Sequence, residues 1–218
     1  AHVGLLLRHY DMDTLKLLKE SGCKQLYIGA ESGSDEVLTL VEKKAQVAET
    51  YEYVERMRQV GIRSFLSTMV CFPEVSSADI GQTMEMIFKC REIDPNIGFR
   101  LFYYTPYPST PLYNSALRMG MKEPASLEEW SHHTLRKFKA PWIKPAHRSQ
   151  VKHFMFYFFP YSAKTAGLDD GLRRGFVRFV LFVLYNLVFS NRLLRALARW
   201  RLRKRNFKFP IDASFVTL

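Results

Sequence analysis

The feature that most constrains this chain is a recurrence. KESGCKQLYIG, starting at Lys19, and RQVGIRSFLST, starting at Arg58, align with each other. In both, an amphipathic helical pattern stops at a glycine, two or three residues pass, and an apolar strand-like run begins. Gly22 and Gly61, 39 residues apart, suit the left-handed position that ends a helix, where a Cβ is unfavourable. Extending the rhythm predicts strands near Val3–Arg8, Gln25–Gly29, Arg63–Cys71 and Gly98–Thr105. Helices are predicted over Asp13–Glu20, Asp35–Glu42, Val47–Val60 and Ser77–Arg91. Strands that are almost continuously apolar and alternate with helices imply a parallel sheet covered by helices. Right-handed crossovers leave two candidates, an open doubly wound sheet or a segment of a barrel.

In either architecture ligands meet the carboxyl ends of the strands. Four segments then share one rim: Arg8–Asp11, Gly29–Ser34, Cys71–Val75 and Thr105–Thr110. The second of these, GAESGS, places a carboxylate and two hydroxyls where a plain turn needs one glycine and one cap. Two readings stand side by side. Ser32 or Ser34 caps a helix whose first turn carries Asp35 and Glu36; alternatively Glu31, Ser32 and Ser34 meet a hydroxyl-rich ligand such as a ribose. Arg8 and Tyr103 point to the rim or its approach and are candidates for substrate contact.

Charge divides the chain. Eleven of its 32 Lys and Arg lie between Gly171 and Ile211 with no acid among them, so the whole net charge of +11 belongs to the tail. A basic tail on a neutral body implies a docking surface more than a nucleic-acid surface. After Pro111 the strand–helix rhythm fails. PASLEEW holds a short helix with Ser126 as cap and Glu129 three residues on. Residues 140–150 read as a proline-bearing linker, which divides the chain into a body over 1–139 and an aromatic, basic helical tail over 151–218. The apolar run 176–189 has 14 residues, short of the roughly 20 that span a bilayer. It either packs on the body or lies beside an arginine stripe (Arg192, Arg195, Arg199, Arg203) at an anionic membrane surface. Cys23, Cys71 and Cys90 have no CxxC-type spacing, so no complete metal site is expected within the chain. Their odd number fits a reducing, cytoplasmic compartment.

GAESGSDEVL, FLSTMVCFPEVSSADIGQTMEM, YYTPYPSTPLYNSAL and SLEEW, in that order, resemble the radical S-adenosylmethionine (SAM) enzymes, and most closely the subgroup with a cobalamin-binding domain. The resemblance covers roughly residues 3–135, and RWRLRKRNFKFPI resembles that subgroup's end. It implies an α/β fold, a partial (β/α)6 barrel entered at its third strand, with a helical tail appended. It also implies SAM, a [4Fe-4S] cluster and, for the subgroup, cobalamin. The cluster's CxxxCxxC loop is absent here, so its thiolates would lie outside this chain. The chain is expected to be a C-terminal portion, inactive alone.

By resemblance, Glu31, Ser32 and Ser34 match the fourth-strand segment at the cofactor's ribose and carboxylate. Met69, Phe72, Pro73 and Glu74 fall in the fifth-strand segment beside the adenine, where Cys71 and Glu74 replace glycines of the family pattern. Ser109 replaces another in PYPSTPLY. A Cβ at such a site restricts the turn. The implied reaction is reductive cleavage of SAM to a 5′-deoxyadenosyl radical that abstracts a substrate hydrogen, with methyl transfer or ring closure following. Expected partners are a small-molecule substrate and an electron donor, with no nucleic acid and peripheral membrane contact through the tail. The alternative is a binding or scaffold protein, catalytically inactive, on the same half-barrel.

Overall fold

The computed structural model describes the backbone of residues 2–3, residues 11–134, 138–152 and 154, and positions 196, 200 and 204. The element order is β1 (His2–Val3), α1 (Met12–Glu20), β2 (Gln25–Glu31), α2 (Asp35–Leu40), α3 (Val47–Val60), β3 (Arg63–Val70), α4 (Ala78–Ile93), β4 (Gly98–Tyr103), α5 (Tyr113–Arg118) and α6 (Leu127–His132). The chain divides into two compact units, 1–144 and 145–218; residues 145–152, in the second, are helical. The expected strand over residues 3–8 is described only at its start. Arg8, the run 176–189 and the arginine stripe lie outside the described residues.

Both glycines that set the rhythm have positive φ, 89° at Gly22 and 71° at Gly61. The amide N–H groups of Gly61 and Ile62 satisfy the last carbonyls of α3, at Arg58 and Met57, so chain direction reverses within a few residues and β3 starts at once. Asp11 caps α1 by accepting from the Thr14 amide at 2.8 Å. Ser126 caps α6, accepting from Glu129.

The four strands are all parallel and lie in the order β1-β2-β3-β4. An open doubly wound sheet reverses its order at some point; consecutive order throughout is what a barrel segment requires. With right-handed crossovers the helices fall on one face. Leu26 and Ile28 of β2 and Leu66 and Val70 of β3 are buried, as are Leu15, Val54, Met57 and Ile87 of the helices. The opposite face alternates with it and is half-buried along β2 and β3.

Candidate functional site

The register aligns the carboxyl ends. Glu31 pairs with Thr68, and Val70 with Tyr103. The segments after β2, β3 and β4 therefore leave the sheet at one rim. Pairing slips between Gly29 and Glu31, leaving Ala30 as a bulge residue that re-aims the end of β2.

Glu31 has φ 59°. Its side chain folds back over Gly29, where a Cβ would collide with the carboxylate oxygen Oε1. Lys43 Nζ meets that oxygen at 3.4 Å, with 19% and 23% of the two side chains exposed. Only glycine at position 29 leaves room for this half-buried pair.

The two serines turn inward. Ser32 is fully buried. Its Oγ accepts from the Ser34 amide at 3.1 Å and lies 3.3 Å from Thr83 Oγ1 of α4. Thr83 also accepts from the Gly33 amide at 3.0 Å. Ser34 is the cap of α2, with Val37 N donating to its Oγ. The hydroxyls thus brace the turn, while Glu31 stays at the surface of the rim. Sequence offered both readings because nothing local reveals that Thr83, some 50 residues on, completes the network.

After β3, the Cys71 amide donates to buried Asp79 at 3.1 Å, and the Cys71 carbonyl accepts from Trp142 Nε1 at 2.9 Å. Trp142, from the stretch that reads as linker, is therefore part of the rim's support. Phe72 is buried among Val37, Tyr104 and Leu112, with its ring 4.8 Å from that of Tyr104. Met69 is half-buried against the same cluster, and Pro73 is buried. The Glu74 carboxylate is held by Arg118 at 2.8 Å and Ser115 at 3.0 Å, both on α5. These hydrogen bonds hold it below the ordinary glutamate value. Tyr103 pairs with Val70 and shares the helix-covered face. Arg100 is exposed on the opposite face; it was not among the residues singled out from sequence, which does not by itself show the face that a strand residue takes.

Five non-glycine residues have positive φ, and four of them lie at or after strand ends at this rim: Glu31 (59°), Cys71 (64°), Glu74 (61°) and Ser109 (66°). The left-handed region costs a side-chain-bearing residue about 1–2 kcal/mol. At Cys71, Glu74 and Ser109 the backbone keeps the conformation that glycine would allow freely, held by the surrounding contacts. Strain gathered at one rim is a mark of a functional edge.

The described residues do not fit an iron–sulfur cluster. Cys23 precedes β2 and Cys71 follows β3, so they lie at opposite ends of strands about 23 Å long. Cys90 is buried in α4, and burial pushes its thiol up to about 12. No group of three metal-ligating side chains occurs among the described residues. SAM meets a better match, since Glu31 offers a partly exposed carboxylate to ammonium or ribose hydroxyl donors.

A consecutive parallel strand–helix sheet with a strained carboxyl rim defines the class so far, a segment of a parallel α/β barrel. Residues 2–87 match the model of the Radical SAM superfamily. An uncharacterized methyltransferase of Pyrococcus horikoshii is 27% identical over 103 residues, 47% of this chain and 21% of that protein. A tRNA-2-methylthio-N(6)-dimethylallyladenosine synthase of Photobacterium profundum is 33% identical over 88 residues, 39% of this chain and 18% of that protein. A threonylcarbamoyladenosine tRNA methylthiotransferase of Thermotoga maritima is 30% identical over 91 residues, 41% and 20%. The chain spans about a fifth of the length of these relatives. No helix among the described residues is long and apolar enough to cross a membrane.

Proposed function

We propose that this chain is the later part of a radical SAM enzyme barrel and holds one side of SAM at the carboxyl rim of β2 and β3, with the cluster's thiolates supplied from outside residues 1–218. The observation that carries this reading is the coincidence of three left-handed non-glycine residues, Glu31, Cys71 and Glu74, with the carboxyl ends of β2 and β3 in a segment that matches the superfamily. Bound SAM supplies reductive-cleavage chemistry in this superfamily. This chain's own part is positional. Glu31, set by the bulge and by Lys43, accepts from SAM's donors. Met69 and the backbone from Pro73 to Glu74 form the apolar side beside the adenine. Ser32, Ser34 and Phe72 act from behind, by fixing those turns. Nothing in the site calls for cobalamin, and the proposal carries no step through it.

The scaffold alternative drew its support from the glycines replaced at 71 and 74, yet the backbone keeps the conformation those glycines would have given. A second reading of the substrate has a specific motive, because two of the relatives are named for modification of tRNA. An RNA substrate would replace the small molecule that the resemblance implies. Filter binding of tRNA at 50 and 200 mM salt separates the two: a specific site retains binding that a diffuse charge effect loses.

Two measurements test the main reading. Equilibrium dialysis with labelled SAM should show saturable binding that Glu31→Gln weakens about tenfold, the loss of a charged hydrogen-bond partner. The coding sequence upstream of Ala1 should contain a CxxxCxxC. Its absence there would remove the enzyme and leave the scaffold.

A further inference from the structure

The loop after β3 is held by a part of the chain that the superfamily match does not reach, since that match ends at residue 87. The loop carries two left-handed residues, Cys71 (64°) and Glu74 (61°). Each is gripped from residues 115–142. Trp142 Nε1 donates to the Cys71 carbonyl at 2.9 Å. The Glu74 amide donates to Met119 Sδ at 3.1 Å, and the Glu74 carboxylate accepts from Ser115 at 3.0 Å and Arg118 at 2.8 Å. From inside the match, Asp79 takes the Cys71 amide at 3.1 Å. Trp142 itself is fixed before its N–H reaches the loop. It packs on the cluster around Phe72 and Tyr104 and on the cluster around Tyr113 and Met121.

A residue with a Cβ needs such grips and a glycine does not. The left-handed region is disfavoured for cysteine by about five- to thirtyfold, whereas glycine enters it freely. A loop that relaxes must be driven back before a ligand can use it, so the apparent affinity falls by the fraction left competent. We propose that Trp142 is a positioning residue for the cofactor. Its indole N–H keeps Cys71 left-handed, and so holds the backbone from Pro73 to Glu74 in the shape that meets SAM; Arg118 does the same at Glu74. Residues 115–142, outside the superfamily match, thereby set the affinity of a site inside it. The cofactor's place in this inference rests on the proposed function; the restraint of the loop does not.

The test uses the full 218-residue chain and two readouts, NMR without SAM and equilibrium dialysis with labelled SAM. The cross-peak between a residue's own amide and Hα protons is strong at positive φ, so it reports Cys71 directly. Trp142→Phe keeps a ring between the two clusters and loses only the donor. It should weaken that cross-peak and weaken SAM binding about fivefold, the lower end because Asp79 still holds the amide. In a Cys71→Gly background the same replacement should change SAM affinity by less than about twofold, since glycine needs no restraint. A purely structural loss would be equal in both backgrounds. The Arg118 side chain is 64% exposed, so Arg118→Gln probes the same brace without touching the core. It should also weaken SAM binding, by a similar factor. An unchanged Cys71 cross-peak in Trp142→Phe, an equal loss of SAM binding in both backgrounds, or parent-like binding by both Trp142→Phe and Arg118→Gln would each overturn the proposal. A weakened cross-peak in Trp142→Phe with no SAM binding by the parent would overturn the SAM reading instead and leave the restraint standing.

Discussion

Replacing Gly33 by alanine tests whether the rim is braced against α4 as described. A Cβ at Gly33 would lie 2.6 Å from Thr83 Cα and 2.7 Å from the Gln82 carbonyl carbon, and against the Gln82 oxygen. Carbon atoms pack at about 3.5–4.0 Å, so the turn and α4 must separate by about 1 Å. These are backbone atoms and cannot rotate aside. Overpacking of this kind costs about 1–3 kcal/mol. The separation also breaks the Gly33 amide's 3.0 Å bond to Thr83 Oγ1, worth about 1 kcal/mol. Gly33→Ala should therefore destabilise by about 2–4 kcal/mol. With a slope near 2 kcal/mol per molar, the urea midpoint falls by about 1–2 M. Gly81 is the control. It lies inside α4 with nothing within 4 Å of the added Cβ, so Gly81→Ala should stabilise by about 0.5–1 kcal/mol. Urea unfolding followed by circular dichroism measures both. A Gly33→Ala midpoint within 0.2 M of the parent, or an equal loss for Gly81→Ala, would refute the bracing argument.

Ser32→Ala removes the buried hydroxyl that serves the Ser34 amide and Thr83. It should cost about 1–3 kcal/mol in the same assay, the range for leaving buried partners unsatisfied; a neutral result would release Ser32 for ligand contact. The Glu74 carboxyl is lowered from its ordinary 4.5 by its bonds to Arg118 and Ser115. A depressed carboxylate stabilises above the unfolded-state value and loses that contribution as pH falls through its own lower one. An NMR pH titration should find the Glu74 midpoint below 4.5, and Arg118→Gln should move it upward; no movement would sever the link to α5. Burial that pushes Cys90 up to about 12 leaves almost no thiolate at pH 8. Iodoacetamide with mass-spectrometric mapping should modify the less buried Cys23 first and leave Cys90 unmodified in the folded chain.

Periodicity and glycine placement sufficed for the elements themselves. Helix α3 runs over the predicted Val47–Val60, and β3 and β4 end one and two residues earlier than expected. Such signals are local: a strand buried on its helix face repeats every two residues, and a helix stops where a left-handed residue satisfies its last carbonyls. Sequence also placed the rim, because parallel strands joined by right-handed crossovers put their carboxyl ends together. What a side chain does at that rim was settled by residues far away in the chain. Thr83 turns Ser32 inward, Lys43 holds Glu31 over Gly29, and α5 takes the Glu74 carboxylate. The pleat assigned Tyr103 to the helix-covered face and Arg100 to the other, a distinction that turns on register with β3 and on no local property of either residue. Backbone conformation follows the same division. A replaced glycine predicts a changed turn when only its own Cβ is considered, but at Cys71 contacts with Asp79 and Trp142 hold the left-handed shape, each made by a residue that the fold alone brings near.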